Sequence, residues 1–125
     1  MSANTFYCAV KTTAASTSGS SGDLDNTAGS AAALVIDVTA ITGTTPSITV
    51  TVEGKDPVSG KYYTILASAA ISTVSTTILR IFPGATAAAN LAVNDFVPKT
   101  FRVSYVIAGT TPAVTSTIGV LLNGF

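Results

Sequence analysis

The chain has 125 residues, enough for one domain with an ordinary hydrophobic core and too few for two comfortable ones. Hydrophobic residues make up 47% of it and charged residues only 10%, where soluble domains carry about 25%. Six basic residues cancel six acidic ones, which excludes strong electrostatic attraction to nucleic acid or to an anionic membrane. Because so little charge opposes association, we expect the protein to work as part of an assembly.

The first residues contain a β-prone run, "TFYCAV", and we predict that residues 1–13 form an N-terminal arm or a first strand. Residues 14–31 are rich in Ser and Gly, which is typical of a flexible linker or a long surface loop. An arm on such a tether could add a strand to a neighbouring subunit, whereas a loop would return the chain to its own sheet. The lone cysteine, Cys8, is expected to be a small buried hydrophobic residue, since free Cys is commonly buried.

Residues 32–125 are predicted to form a single β-sandwich domain, because their hydrophobic pattern repeats mainly every second residue. The first of these strands sets Leu34, Ile36 and Val38 opposite Val35, Asp37 and Thr39, so it is expected to be covered on both sides. Six or seven strands follow from the runs "ALVIDVTAI", "SITVTVEG", "KYYTILASAAI", "TTILRIF", "TFRVSYVIAG" and "AVTSTIGVLL", with a further one at 5–14. The fold class is therefore all-β, an antiparallel β-sandwich of Ig-like or jelly-roll-like type with six to eight short strands.

Gly-Thr-Thr-Pro occurs twice, at 43–46 and 109–112, each time between two alternating runs. This pattern predicts two similar hairpin loops. Asp56, Pro57 and Gly60 predict a further tight turn. The Ala-rich segment 84–95 is expected to be either one short helix, the only one in the chain, or an irregular loop.

Two long uncharged stretches, 62–79 and 103–125, are too rich in Ser and Thr to predict a membrane-spanning helix, and no membrane partner is expected. Residues 1–15 lack a basic start followed by an apolar block, which predicts synthesis in the cytoplasm without a secretion signal.

Catalytic residues are not predicted. The chain has no His, which removes the usual general base and the commonest metal ligand. No phosphate-binding loop or zinc-ligand spacing is present, so we expect neither an enzyme nor a bound cofactor. A weak calcium candidate remains in "GDLDNT", where Asp23, Asp25 and Asn26 could offer oxygen ligands, although the same residues commonly form solvated turns.

Aromatic side chains are the candidates for protein contacts. Tyr62 and Tyr63 are adjacent in a predicted strand, so one is expected to join the core and the other, Tyr63, to stand outside. Phe6, Tyr7 and Phe96 are the other interface candidates. The chain has no Trp, which leaves a carbohydrate-binding surface poorly equipped.

Three runs in order, "DVTAITGTTPSITVTVEGKDPVSGKYYTILASAAIS", "TILRIFPG" and "VPKTFRVSYVIAG", resemble small structural proteins encoded among the head and tail genes of tailed bacteriophages. The shared features are a Val/Thr strand, the Gly-Lys-Asp-Pro hairpin, a Pro-Gly turn and the Pro-x-Thr-x-Arg-Val strand, over about residues 34–123. The segment 14–31 lies outside the shared pattern.

The resemblance implies a virion protein made in the host cytoplasm, first of all a capsid decoration (cement) protein. Its partners would be the major capsid protein or other virion subunits, and it would form a homo-oligomer, a trimer or another symmetric assembly. Two alternatives stay open: a tail or head–tail junction protein, and a carbohydrate-binding β-module on the virion surface.

Overall fold

A computed structural model describes the backbone of residues 4–26 and 29–123, and the side chains of these residues from Cys8 onward. The described chain is all-β and contains no helix, which confirms the predicted class. Its strands are β1 (Asn4–Ala15), β2 (Gly19–Ser20), β3 (Leu24–Asp25), β4 (Ala31–Lys55), β5 (Tyr62–Ala67), β6 (Ser75–Phe82), β7 (Ala92–Asn94) and β8 (Thr100–Asn123).

The strands form one mixed sheet in the order β1-β8-β4-β6-β7, with β2 and β3 also paired to β8 and β5 paired to β4. All pairs are antiparallel except β6 with β7, which is parallel. The sheet is organised around β4 and β8, which have 25 and 24 residues and pair with each other along their whole length.

The predicted hairpin loops at the two Gly-Thr-Thr-Pro phrases are wrong, because both phrases lie inside these long strands. Thr44 pairs with Thr110, and the next pairs on either side are Thr42 with Ala113 and Ser47 with Ala108. Each phrase thus sets two residues, Thr and Pro, against the single Gly of the other phrase. Two residues opposite one define a β-bulge, and a bulge accepts Pro because no ladder hydrogen bond is needed there.

Both halves of the long strands contribute to one core, since a bulge bends and twists the strand that carries it. The largest completely buried side chains come from β4, β6 and β8: Leu34, Ile36, Val38, Ile48, Val50, Val52, Leu79, Ile81, Phe101, Val103, Ile118 and Leu122. Their alternation along each strand is the pattern that the sequence predicts.

The N-terminal segment runs antiparallel along β8. Residues of β1 pair with 114–123, while β2 and β3 pair with residues between Thr100 and Tyr105. In the Ser/Gly-rich part, the hydroxyl oxygens of Ser18 and Ser21 accept hydrogen bonds from the backbone N–H groups of Ile107 and Val103, both at 3.0 Å. The serine hydroxyls therefore provide hydrogen-bond acceptors for N–H groups of β8 where the neighbouring segment is irregular.

The Ala-rich segment 84–95 forms turns and the short strand β7, and the helix alternative is wrong. The backbone N–H of Arg80 donates to the carbonyl of Leu91 at 2.9 Å, and Ala92 pairs with Arg80. This pairing with β6 outweighs the helix preference of Ala, which is a weak local effect. Within 4–26 and 29–123 there is also no helix long and apolar enough to span a membrane.

Candidate interaction surfaces

Most of the charged residues lie at one end of the molecule, where β4 ends, β8 begins and β3 pairs with β8. They are Asp23, Asp25, Glu53, Lys55, Asp56, Lys61, Lys99 and Arg102. We call this set the charged end. The other four charged residues, Lys11, Asp37, Arg80 and Asp95, lie apart from one another in the rest of the chain.

Tyr62 connects the ion pairs of the charged end, because it contacts both Arg102 and Asp23. Glu53 and Arg102 are direct cross-strand partners, and Arg102 Nε lies 2.9 Å from Glu53 Oε1. The guanidinium carbon of Arg102 lies 3.6 Å from the centre of the Tyr62 ring, a cation–π contact. The Tyr62 hydroxyl donates to the Asp23 carboxylate, which also binds Lys55 Nζ at 2.7 Å.

These contacts change the acidity of the two charged partners. The hydrogen bond from Lys55, followed by that from Tyr62, lowers the pKa of Asp23 below its ordinary value of 3.8. The same carboxylate raises the pKa of Lys55 above 10.5 by stabilising the ammonium form.

Asp56 organises the predicted turn after β4. Its carboxylate accepts the hydroxyl of Ser59 at 2.7 Å and the backbone N–H of Val58 at 3.1 Å, and the Ser59 bond is the main cause of its lowered pKa. Gly60 donates its N–H to the Asp56 carbonyl at 2.9 Å. Val58, at the tip, is 93% exposed. The carboxylate of Asp56 therefore shapes the loop from within.

A cleft of about 820 Å³ opens between this turn, β3 and residues 98–100. Two of the three acidic groups at its wall are in contact with cations, since Asp25 Oδ1 lies 3.0 Å from Lys99 Nζ and Asp23 binds Lys55. The third, Asp56, bonds within its own turn. Among the side chains described, no buried polar atom lacks a hydrogen-bond partner. The cleft is thus lined by charge pairs together with apolar side chains such as Leu24, Val58 and Pro98.

The calcium candidate residues are placed in separate contacts. Asp23 and Asp25 bind Lys55 and Lys99, and the Asn26 side-chain amide donates to the carbonyl of Val97 at 2.8 Å. No three His, Cys, Asp or Glu residues form a metal-binding group in the described parts of the chain. In this structure Asp23 holds the segment before β4 to the end of β4, and Asp25 and Asn26 hold it to the residues just before β8.

The aromatic candidates are not brought into one patch. Tyr63 is 45% exposed and covers Gly54, where an added Cβ would come within 2.5 Å of the Tyr63 ring. Phe96 is 56% exposed in the connection between β7 and β8. The side chains of Phe6 and Tyr7 lie outside the described residues, while their backbones pair with Leu121 and Val120.

The prediction that one of the two adjacent tyrosines joins the core is wrong. Tyr62 pairs with Lys55 and lies on the outer side of the sheet with Arg102, whereas Tyr63 pairs with Gly54 beyond the last core residues of β4. The hydrophobic core therefore does not extend to Tyr62 or Tyr63.

One interaction surface was not predicted from the sequence. The outer side of β1, β8, β4 and β6 is open, and we call it the apolar face: Cys8, Ala33, Val35, Ile78, Gly119 and Leu121. One cross-strand row runs Cys8, Gly119, Val35, Ile78, and the next joins Leu121, Ala33 and Arg80.

Exposure on this face is high for apolar side chains. Ile78 is 41% exposed and Leu121 40%, and Cys8 is exposed rather than buried as expected. The sequence signal for the face was the strand that sets Val35 opposite Leu34 and Ile36 and was expected to be covered on both sides. In the structure Leu34 and Ile36 are completely buried, whereas Val35 is half-buried.

No protein-family model, curated protein or solved structure matches this chain.

Proposed function

We propose that the chain is a non-enzymatic structural protein of tailed-bacteriophage virions, a capsid decoration protein that binds the shell of the major capsid protein and stabilises the head. The observation that carries the proposal is the apolar face. A sheet that keeps most of its charges at one end and leaves apolar side chains exposed on its outer side is suited to contact with other proteins.

The physical mechanism is additive. Each subunit would bury a modest apolar area, and many subunits repeated over a symmetric shell would together oppose its expansion. Such a role needs a rigid domain and contact surfaces but no reaction chemistry. The phage-like order of motifs in residues 34–123 supports the same proposal.

Labelling on intact particles tests it. The chain carrying an affinity tag after its C-terminus would be expressed during infection by the phage that encodes it, and purified particles would be labelled with gold and imaged. We expect label over the head in many copies. Label confined to the tail or to the head–tail junction would replace the decoration role, and the absence of label from particles would overturn the virion role.

A second measurement addresses stabilisation. Particles lacking the protein should release their DNA at a lower temperature, and added wild-type protein should restore the release temperature. Val35→Lys, which puts a charge on the apolar face, should restore it poorly, whereas Val58→Lys at the exposed turn serves as the matched control. Specific binding of the isolated chain to glycans on an array would favour a carbohydrate-binding module instead.

A further inference from the structure

We propose that the apolar face is covered by a second copy of this chain, packed face to face about a twofold axis that runs along β8. In this arrangement β4 of one copy lies over β1 of the other, and Lys11 of each copy faces Asp37 of its partner. The inference rests on the proposed function and deepens it. The apolar face would join two copies into the unit that decorates the shell, so other surfaces of the pair would contact the shell. The inference is tested in solution without phage particles.

The first argument is the shape and composition of the face. Three apolar side chains, Val35, Ile78 and Leu121, stand among the small residues Ala33 and Gly119. Sheets that stack on one another do so through such surfaces, about 10 Å apart and with strand directions within about 30°. Val35 is half-buried in the single chain, and a second sheet stacked on this side would bury it further.

The second argument is the position of two charges. Lys11 pairs with Thr117, Thr117 pairs with Asp37, and Asp37 pairs with Thr76, so the four form one row across β1, β8, β4 and β6. Lys11 and Asp37 are each one strand away from β8, on opposite sides. Neighbouring strands lie about 4.8 Å apart, which leaves these two residues roughly 10 Å apart within one chain.

Neither residue is in an ion pair among the side chains that the structure describes. Asp37 Oδ1 accepts a hydrogen bond from the Thr76 hydroxyl at 3.1 Å, which holds the carboxylate on the outer side of the sheet. The alternating neighbours of Lys11, Val10 and Thr12, are buried, so Lys11 points outward as well.

A twofold axis along β8 exchanges the two sides of that strand. It therefore brings Lys11 of one copy over Asp37 of the other, and the same contact is repeated by symmetry. Like charges do not meet: Arg80 on β6, two strands from the axis, falls beyond β1 of the partner. The face is thus complementary to itself in charge as well as in polarity.

The size of the face sets the expected strength. Four strands and about seven residues along each give an area near 20 by 24 Å, so a pair would bury roughly 1,000 Å² in total, the lower limit for a specific interface. We therefore expect a monomer–dimer equilibrium that depends on concentration over roughly the micromolar range.

Charge-reversal variants test the geometry. Lys11→Asp and Asp37→Lys should each weaken self-association by about fivefold or more in sedimentation experiments, because each homodimer then contains two like-charged contacts. An equimolar mixture of the two variants should form a heterodimer, since both contacts become attractive again. The double variant Lys11→Asp/Asp37→Lys should recover the wild-type equilibrium.

A control pair separates this geometry from the attraction of oppositely charged proteins. Lys61→Asp and Asp95→Lys change net charge by the same amounts but lie off the face, so their mixture should show no gain over the separate proteins. Circular dichroism and urea unfolding of every variant show whether the fold is retained.

Cys8 provides an independent readout, because it is the only cysteine and lies on the face. Its reaction with a maleimide should slow as the dimer forms, and the alkylated protein should sediment as a monomer. A second copy added at the free edge of β1 would leave Cys8 reactive. The proposal is overturned if the protein is monomeric at all concentrations, or if a dimer forms in which Cys8 keeps its monomer rate and the mixed variants show no heterodimer.

Discussion

Thr44 and Thr110 are register partners at the centre of the two longest strands, so the two Gly-Thr-Thr-Pro phrases lie side by side in the sheet. Gly43 faces the backbone of Thr111 and Pro112, and Gly109 faces that of Thr45 and Pro46. The two phrases are related by an approximate twofold axis between the paired strands. The Thr-Pro bulge of each phrase lies against the Gly of the other. The repeated phrase is therefore a structural pair, and its function is to bend β4 and β8 together.

Replacing either central Gly by Ala is expected to destabilise the fold. Gly43 has a φ of 121° and Gly109 a φ of 119°, and a Cβ on either would lie 2.8 Å from a backbone oxygen of the other phrase. Such a conformation costs about 1–3 kcal/mol for a residue with a side chain, so the free energy of unfolding should fall by at least that much.

Urea unfolding of Gly43→Ala and Gly109→Ala measures the effect. Gly22→Ala is the matched control, because no atom lies within 4 Å of its added Cβ and its φ is outside the left-handed region. Equal stability of the three variants would contradict the paired-bulge arrangement.

A second prediction concerns the attachment of β1. The hydroxyl of Thr12 is buried, lies 2.9 Å from the Ser116 hydroxyl and 3.0 Å from the Val114 carbonyl, and accepts the Ser116 N–H at 3.0 Å. Thr12→Val leaves buried polar groups unpaired and should lower the free energy of unfolding by about 1–3 kcal/mol.

The control is Thr13→Val, the same change at an exposed neighbour, with an expected effect within about 0.5 kcal/mol. If both variants unfold like the wild type, β1 is not held on β8. A loss of stability that depends on protein concentration would indicate that β1 is exchanged between copies.

Acid should destabilise the protein through Asp23 and Asp56, whose pKa values lie below 3.8 in the folded chain. Their stabilising effect is complete above the unfolded pKa. Because the unfolded carboxyls take up protons first as the pH falls, stability declines from about 3.8 down through the folded pKa values.

The acid sensitivity of variants should follow the order of the hydrogen bonds that lower the pKa of Asp23. Urea midpoints measured from about pH 6 down to about pH 2 should show the largest reduction in acid sensitivity for Lys55→Met, a smaller one for Tyr62→Phe, and the full effect in the wild type. The reverse order would show that the hydroxyl of Tyr62, rather than Lys55, controls this carboxyl.

The fourth prediction compares two ion pairs at the charged end. The side chain of Arg102 is 28% exposed and stacks on Tyr62, and that of its partner Glu53 is 18% exposed. Removing Arg102 therefore leaves the Glu53 carboxylate without its cation. Arg102→Met should therefore cost about 1–2 kcal/mol in the free energy of unfolding.

Lys99→Met removes the other pair, in which Lys99 and Asp25 are 79% and 53% exposed. Exposed pairs contribute little, so the expected loss is under about 0.5 kcal/mol. The two losses come from parallel urea titrations at one salt concentration, and similar values would mean that the contact between Arg102 and Tyr62 adds no stability.

The sequence by itself determined the class of the fold. The alternation of buried residues at Ile48, Val50 and Val52 depends only on residues close in sequence, and so does the turn formed by Asp56. The low charge also indicated association with other proteins. These signals are local, because side-chain direction in a strand depends only on the position of a residue relative to its neighbours.

Only the tertiary structure decided which segments pair. From the sequence, the Gly-Thr-Thr-Pro phrases predict hairpins, but the structure places Thr44 and Thr110 opposite each other in long strands. The Ala-rich segment 84–95 is compatible with a helix or an irregular loop, and only its pairing with β6 decides between them. The apolar face likewise exists only because Cys8, Val35 and Ile78, far apart in the chain, share one row of the sheet. Pairing depends on hydrogen bonds and packing between distant residues, and local preference is too weak to specify them.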